Sequence, residues 1–168
     1  MSKKIFLLVI LLTLSSFLLF AESDNTIYKN GIGMDVHTNF GSYVNAGISY
    51  QHWFNRGLGY QITIGTQIDK ESVDVFSGMI DLQKMFFSNY FQKTNVTTLL
   101  FGWASVGYTA EGFIHQEYTD SLAVGAGFGI DVIISERISL PLKIGCMAAF
   151  SATTDVGFSL GLGYKYRF

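Results

Sequence analysis

The amino-acid sequence predicts an all-β fold, an eight-stranded antiparallel up-and-down transmembrane β-barrel that follows an N-terminal signal peptide. Three observations predict it: a leader-like start, alternation of apolar with small or polar residues in eight segments, and hydrophobicity that is spread along the chain. Hydrophobic residues make up 49% of the sequence, and glycine is abundant at 18 residues. Beyond residue 21, no apolar run reaches the about 20 residues that a transmembrane helix needs. Barrel strands distribute their hydrophobicity in this way.

The first residues have the order of a secretory leader. Lys3 and Lys4 form a basic start, 5–20 is almost wholly apolar, and Ala21 precedes the polar stretch 22–25. This order predicts a cleaved signal peptide over 1–21 and an outer-membrane β-barrel domain over 22–168. The alternative is an uncleaved anchor, for which the apolar stretch is short.

Alternation with period two predicts the strands, because successive side chains of a strand point to opposite faces. The predicted segments are 31–37, 44–50, 58–68, 73–84, 96–108, 121–132, 138–146 and 156–168. In 156–168 one face is apolar or aromatic, and the other carries glycine, Ser159, Lys165 and Arg167. Glycine suits a narrow lumen, since an eight-stranded barrel has room inside only for packed side chains. In 96–108 both faces are apolar, and the pattern leaves open which of them faces inward.

A membrane barrel must close, because lipid cannot satisfy the backbone groups of a sheet edge. Its even strand number places both termini on the periplasmic side. One feature disagrees with this arrangement: the connection at 87–94 is long for a periplasmic turn.

Six charged residues fall on the face predicted to line the lumen. They are Asp35, Asp81, Asp131, Lys143, Lys165 and Arg167. Buried charges must be paired, so we expect structural ion pairs that fill the lumen. Asp35 is expected to meet Lys165 across the closing seam, and Asp131 is expected to reach Lys143 diagonally on the next strand.

The composition excludes several classes of function. Loss of the leader would change the net charge from −2 to −4, and no basic stripe suggests nucleic-acid binding. Cys146, the single cysteine, cannot form an internal disulfide. No cluster of histidine and cysteine has metal-ligand spacing, and the acids of the outward loops are expected to be a solvated rim. We therefore expect no cofactor and no metal.

The C-terminal strand carries a pattern that resembles the terminal signal of bacterial outer-membrane proteins. Its residues are Leu160, Leu162, Tyr164, Tyr166 and Phe168. The resemblance is to the small eight-stranded families, the OmpX-like, OmpW-like and opacity-type proteins, with the subfamily left open. It implies an outer-membrane location, lipid as surroundings, and recognition of the last strand by the barrel-assembly machinery. We expect a monomer.

Three functions follow as hypotheses. The first is a non-enzymatic outer-membrane barrel with a packed lumen and a structural or surface-interaction role. The second is a channel or carrier for small hydrophobic molecules, which resemblance to OmpW-like proteins implies if Leu99, Phe101 and Trp103 line an apolar lumen. The third is a lipid A-modifying enzyme, for which His37 beside Asp35 offers a His–carboxylate pair. The third is disfavoured, because no histidine stands in the His-x-Ser pattern of the lipid A deacylases that the barrel resembles in size. A soluble ligand-binding periplasmic barrel is a further alternative.

Overall fold

A computed structural model describes residues 29–39, 43–54, 57–68, 75–111, 120–150 and 154–168. The predicted signal peptide lies outside these residues. Among them, no helix has the length and hydropathy that would let it cross a membrane.

Eight strands form one closed antiparallel barrel in which each strand pairs with its sequence neighbour and β1 pairs with β8. The strands are β1 (Asn30–Asn39), β2 (Tyr43–Trp53), β3 (Leu58–Ile68), β4 (Val75–Phe91), β5 (Val96–Glu111), β6 (Asp120–Ile134), β7 (Ile138–Phe150) and β8 (Thr154–Arg167). The predicted all-β, eight-stranded, up-and-down topology is confirmed. We call the end where β1 starts and β8 finishes the terminus end, and the opposite end the loop end.

The stagger of the barrel follows from its register. The pairing can be followed from Met85 on β4 to its partner on β5, then to that residue's partner on β6, and so on round the barrel. The residues met in turn are Phe101, Gly129, Lys143, Gly161, His37, Asn45, Gln67 and Val75. This path comes back to β4 at Val75, ten residues before Met85. The difference of ten residues is the shear of the barrel. Strands with this stagger are tilted by roughly 40° from the barrel axis.

The alternation places apolar side chains outside and small or polar side chains inside. Met34, Phe128 and Phe158 on the outer surface are 64%, 60% and 73% exposed, whereas Asp131, Lys165 and Arg167 are fully enclosed. Such a surface is the reverse of a water-soluble barrel and suits contact with lipid.

The open question about 96–108 is resolved by burial. Leu99, Phe101 and Trp103 point into the lumen and are 0–1% exposed, while Leu100 lies on the outer surface. Both faces of 96–108 are apolar because its inward side chains belong to an apolar core that fills the lumen at the terminus end.

β4 is longer than its pattern predicts. The alternation indicates an end at residue 84, but the strand continues to Phe91, and a bulge between Met85 and Phe87 shifts its register against β5. One extra residue reverses which side chains point inward, so the period-two pattern stops there. The connection expected at 87–94 is therefore a tighter turn over 92–95 at the tip of a lengthened hairpin.

Candidate functional site in the barrel lumen

Among the described residues, three buried ion pairs occupy the lumen and use all six predicted inward charges. Lys165 pairs with Asp35 at 3.0 Å across the β1–β8 seam, as predicted. The predicted pair of Asp131 with Lys143 is wrong: Asp131 pairs with Arg167 at 2.5 Å, and Lys143 pairs with Asp81 at 2.5 Å. Lys143 lies on β7 and Asp81 on β4, so this bond spans the lumen instead of joining adjacent strands.

Glutamine side chains connect two of these pairs. Lys143 Nζ donates to Gln61 Oε1 at 3.0 Å, and Gln83 Nε2 donates to the same oxygen at 3.3 Å. Gln51 Nε2 donates to Gln83 Oε1 at 2.6 Å, and Arg167 donates to Gln51 Oε1 at 2.9 Å. These contacts form a continuous chain across the lumen.

Ser139 completes the chain at the Arg167 end. Its hydroxyl donates to Asp131 at 2.6 Å and accepts from Arg167 at 3.2 Å. We call the linked set the polar network; its members are Gln51, Gln61, Asp81, Gln83, Asp131, Ser139, Lys143 and Arg167. Alternation in the sequence gives no sign that glutamines bridge separate ion pairs.

Asp35 and His37 make further polar contacts in the lumen. Ser49 donates to the Asp35 carboxylate, which also holds Lys165, so this acid is satisfied from two strands. His37 Nε2 contacts the hydroxyl of Ser159, and the His37 ring meets the Trp103 ring edge-on at 6.1 Å between centroids. Within the described residues, no carboxylate hydrogen-bonds His37.

An apolar cluster fills the lumen at the terminus end. Its members, all 0–5% exposed, are Trp53, Met85, Leu99, Phe101, Trp103 and Ile133. The Trp53 and Phe101 rings meet edge-on at 6.1 Å between centroids. Trp103 donates its indole N–H to the carbonyl of Phe128 at 3.2 Å. The residues that sequence analysis proposed as an apolar lumen therefore face inward, but they pack against one another.

Glycines of β6 and β7 make room for these rings. A Cβ at Gly129 would collide with the Phe101 ring, and one at Gly145 would lie 2.6 Å from Trp103 Cζ2. Large side chains on β5 are thus matched by glycines on the adjacent strand β6 and on β7 beyond it.

A small cavity lies on the loop side of the polar network. Asp35, His37, Gln61 and Lys143 line it together with Asn45 and Thr63. Its volume of about 30 Å³ suits water, since one water needs roughly 10–15 Å³ measured this way. The cavity does not reach Leu99, Phe101 or Trp103.

The remaining sequence-predicted residues lie on the outer surface of β8. Leu162, Tyr164, Tyr166 and Phe168 are exposed there, with Leu160 on the same face. Cys146 is also on the outer surface, and no cluster of metal-ligating side chains occurs among the residues that the structure describes.

The sequence matches no protein-family model and no curated protein. Solved structures of small β-barrels are similar to this chain. Outer membrane protein H (OprH) of P. aeruginosa is similar with a TM-score of 0.63 at 15% identity, over 83% of this chain and 99% of that chain. The N-terminal β-barrel domain of Pseudomonas aeruginosa OprF is similar with a TM-score of 0.59 at 12% identity, over 84% and 98% of the two chains. The chain thus has the fold of the small eight-stranded outer-membrane β-barrels.

Proposed function

We propose that this chain is an integral outer-membrane protein with a closed lumen and a structural or surface-interaction role. The observation that carries the proposal is the bond of Lys143 to Asp81 and Gln61, which joins opposite walls of the barrel. Between this bond and the terminus end, the apolar cluster fills the lumen. A lumen blocked by both layers offers no continuous path for ions.

The outer surface supports the membrane location. Lipid-exposed strands must leave no unpaired edge within the hydrocarbon, and the closed β1–β8 seam meets that need. OprH, which shares the fold, is an outer-membrane protein by name. We place both termini in the periplasm and the loop end outside the cell. The outer face of β8 is the surface that the assembly machinery would recognise.

The experiment is single-channel recording of the refolded chain, residues 22–168, in a planar lipid bilayer. The wild-type protein is expected to give no steady conductance. A triple variant, Gln61→Ser, Gln83→Ser and Lys143→Ser, removes the cross-lumen bonds but leaves the apolar cluster, so it is expected to admit ions only when Phe101→Ala and Trp103→Ala are added to open that second layer. Ser105→Ala is the matched control, since it changes a lumen residue outside the polar network. A stable open channel from the wild-type protein would overturn the proposal.

The carrier hypothesis requires free space in the lumen for a ligand beside Leu99, Phe101 and Trp103. These side chains are packed to 0–1% exposure. Addition of dodecane to a Trp53→Phe variant is expected to leave Trp103 fluorescence unchanged. A saturable change would favour the carrier instead.

A further inference from the structure

Three rings form a cluster on the outer surface of the barrel at the terminus end. The register places His52, near the end of β2, directly opposite Asn30 on β1 and Tyr60 on β3. Phe54 follows β2, and its backbone N–H donates to the carbonyl of Leu58 at 2.7 Å, which holds this residue beside the other two rings. We call the side chains of His52, Phe54 and Tyr60 the ring cluster.

The members of the ring cluster lie close enough to act on one ligand together. The ring centroids of His52 and Phe54 are 4.7 Å apart, those of His52 and Tyr60 are 5.7 Å apart, and those of Phe54 and Tyr60 are 5.6 Å apart. Phe54 is 53% exposed, on the same outer face as the exposed side chains of Ile48 and Ile62. Because a ring attracts a cation within about 6 Å of its centroid, a cation held against one ring is near the others.

A hydrogen bond fixes the tautomer of the His52 ring. Its Nδ1 lies 2.8 Å from Asn30 Oδ1, and the Tyr50 hydroxyl donates to the same oxygen at 2.8 Å. An amide oxygen can only accept, so the neutral imidazole carries its proton on Nδ1. The other ring nitrogen, Nε2, is then a hydrogen-bond acceptor.

These two features together favour a cation that can donate hydrogen bonds. The ring faces attract positive charge, and His52 Nε2 accepts from an N–H group. The primary ammonium of an ethanolamine headgroup has both the charge and the N–H donors. The trimethylammonium of a choline headgroup has the charge alone, and an anionic glycerol headgroup lacks the positive charge.

We propose that the ring cluster binds the ammonium group of an ethanolamine phospholipid. The inference rests on the membrane orientation proposed above, which places the terminus end at the level of the inner-leaflet headgroups. Aromatic side chains are enriched at this level, because they suit a boundary that is apolar on one side and wet on the other. In this barrel the acceptor on His52 adds a preference for one headgroup to that general anchoring.

The test is native mass spectrometry of the refolded protein in a maltoside detergent at about pH 8, where imidazole is neutral. The probes are phosphatidylethanolamine, phosphatidylcholine and phosphatidylglycerol with identical acyl chains, added in equal amounts. The wild-type protein is expected to retain the ethanolamine lipid about threefold more than the choline lipid, and the choline lipid more than the glycerol lipid. The anionic lipid is the competing occupant, since Lys93 and Arg137 are exposed at the same end of the barrel.

Matched variants separate the two contributions. His52→Phe keeps a ring but removes the acceptor, so the ethanolamine and choline lipids should be retained equally. Phe54→Leu removes a ring face, so retention of both should fall about threefold relative to the glycerol lipid. Phe87→Leu is the control and should change neither ratio, since Phe87 is an aromatic residue of β4 at the same end with a similar exposure of 56%.

Each variant is first shown to be folded by its heat-dependent shift in SDS gels. Four results would overturn the inference: equal retention of the three lipids by the wild-type protein, a preference for the glycerol lipid, an unchanged preference in His52→Phe, or equal losses in Phe54→Leu and Phe87→Leu. Because folding and conductance are measured separately, a closed barrel that shows no headgroup preference refutes this inference and leaves the proposed function standing.

Discussion

At the scale of the residue, the lumen depends on charges that have no access to bulk water. Lys143 and Asp81 have side chains only 4% and 2% exposed, and their bond joins β7 to β4. Burial of both charges costs desolvation that their attraction offsets only when the geometry is good. Loss of one partner leaves the other charge uncompensated, which is far more costly than loss of both.

Lys143→Met is therefore expected to destabilise the barrel by about 3–5 kcal/mol, because Asp81 is left buried without its cation. The double variant Lys143→Met with Asp81→Leu should recover most of this loss. The measurement is urea unfolding of protein refolded into lipid vesicles, analysed as a double-mutant cycle.

Two controls show whether the loss belongs to this pair. Leu142→Met changes the adjacent lipid-facing residue and is expected to cost below about 1.5 kcal/mol. The same cycle between Lys143 and Asp131 should give weaker coupling, since these two residues are linked only through the glutamines and Arg167 of the polar network. Coupling there as strong as that with Asp81 would contradict the observed arrangement.

Residue-level sequence analysis placed all six charges inside, but it paired Asp131 with Lys143 wrongly and assigned no partner to Asp81 and Arg167. Period-two alternation shows which face of a strand a side chain occupies, and it placed all six charges on the correct face. Pairing was inferred from neighbouring strands alone, which succeeds for Asp35 and Lys165. It fails for Lys143, because the interior is narrow enough for a long side chain to reach the opposite wall, and neighbour rules contain no information about that distance.

At the scale of the element, β5 and β6 fit by pairing large with small. Phe101 lies directly opposite Gly129 in the register, and Phe101 has no exposed surface. The ring cannot move aside, since Trp53 packs against it. Glycine at 129 is thus required by space, not by backbone conformation.

Gly129→Ala is expected to destabilise the barrel by about 1–3 kcal/mol through overpacking. Phe101→Leu in the same chain should restore part of that loss, because a smaller side chain leaves room for the methyl group. Gly78→Ala is the comparison: its Cβ would meet no atom within 4 Å. Since alanine also suits a strand better than glycine, Gly78→Ala should be neutral or slightly stabilising. Equal losses of stability in Gly129→Ala and Gly78→Ala would show that the clash of the added methyl group with the Phe101 ring is not the cause.

The elements themselves were mostly predictable, and the exception has a local cause. β3 runs over 58–68 as expected, whereas β4 extends seven residues past its predicted end at 84. Alternation identifies strands only while the register is regular, and the bulge after Met85 breaks that regularity. The aromatic-rich stretch 86–91 therefore looked like a loop, and the lengthened β4–β5 hairpin could not be foreseen.

At the scale of the whole molecule, one closed sheet separates two environments. The outer face is apolar over most of each strand, which suits lipid, and the sheet encloses the polar network on its inner face. Closure also makes stability cooperative, because any local opening would expose unpaired backbone groups to hydrocarbon. A barrel of this kind resists unfolding by detergent as one unit.

The mature chain, refolded in detergent, is accordingly expected to migrate differently in SDS gels with and without boiling. Unheated protein should remain a compact barrel because SDS does not reach its enclosed ion pairs, and boiled protein should run as the unfolded chain. Lys143→Met should lower the temperature of this shift, whereas Leu142→Met should leave it nearly unchanged, which ties the resistance to the lumen. Recovery of the wild-type protein in solution without detergent, with no heat-dependent shift, would mean that the apolar face is covered by protein and would contradict the transmembrane assignment.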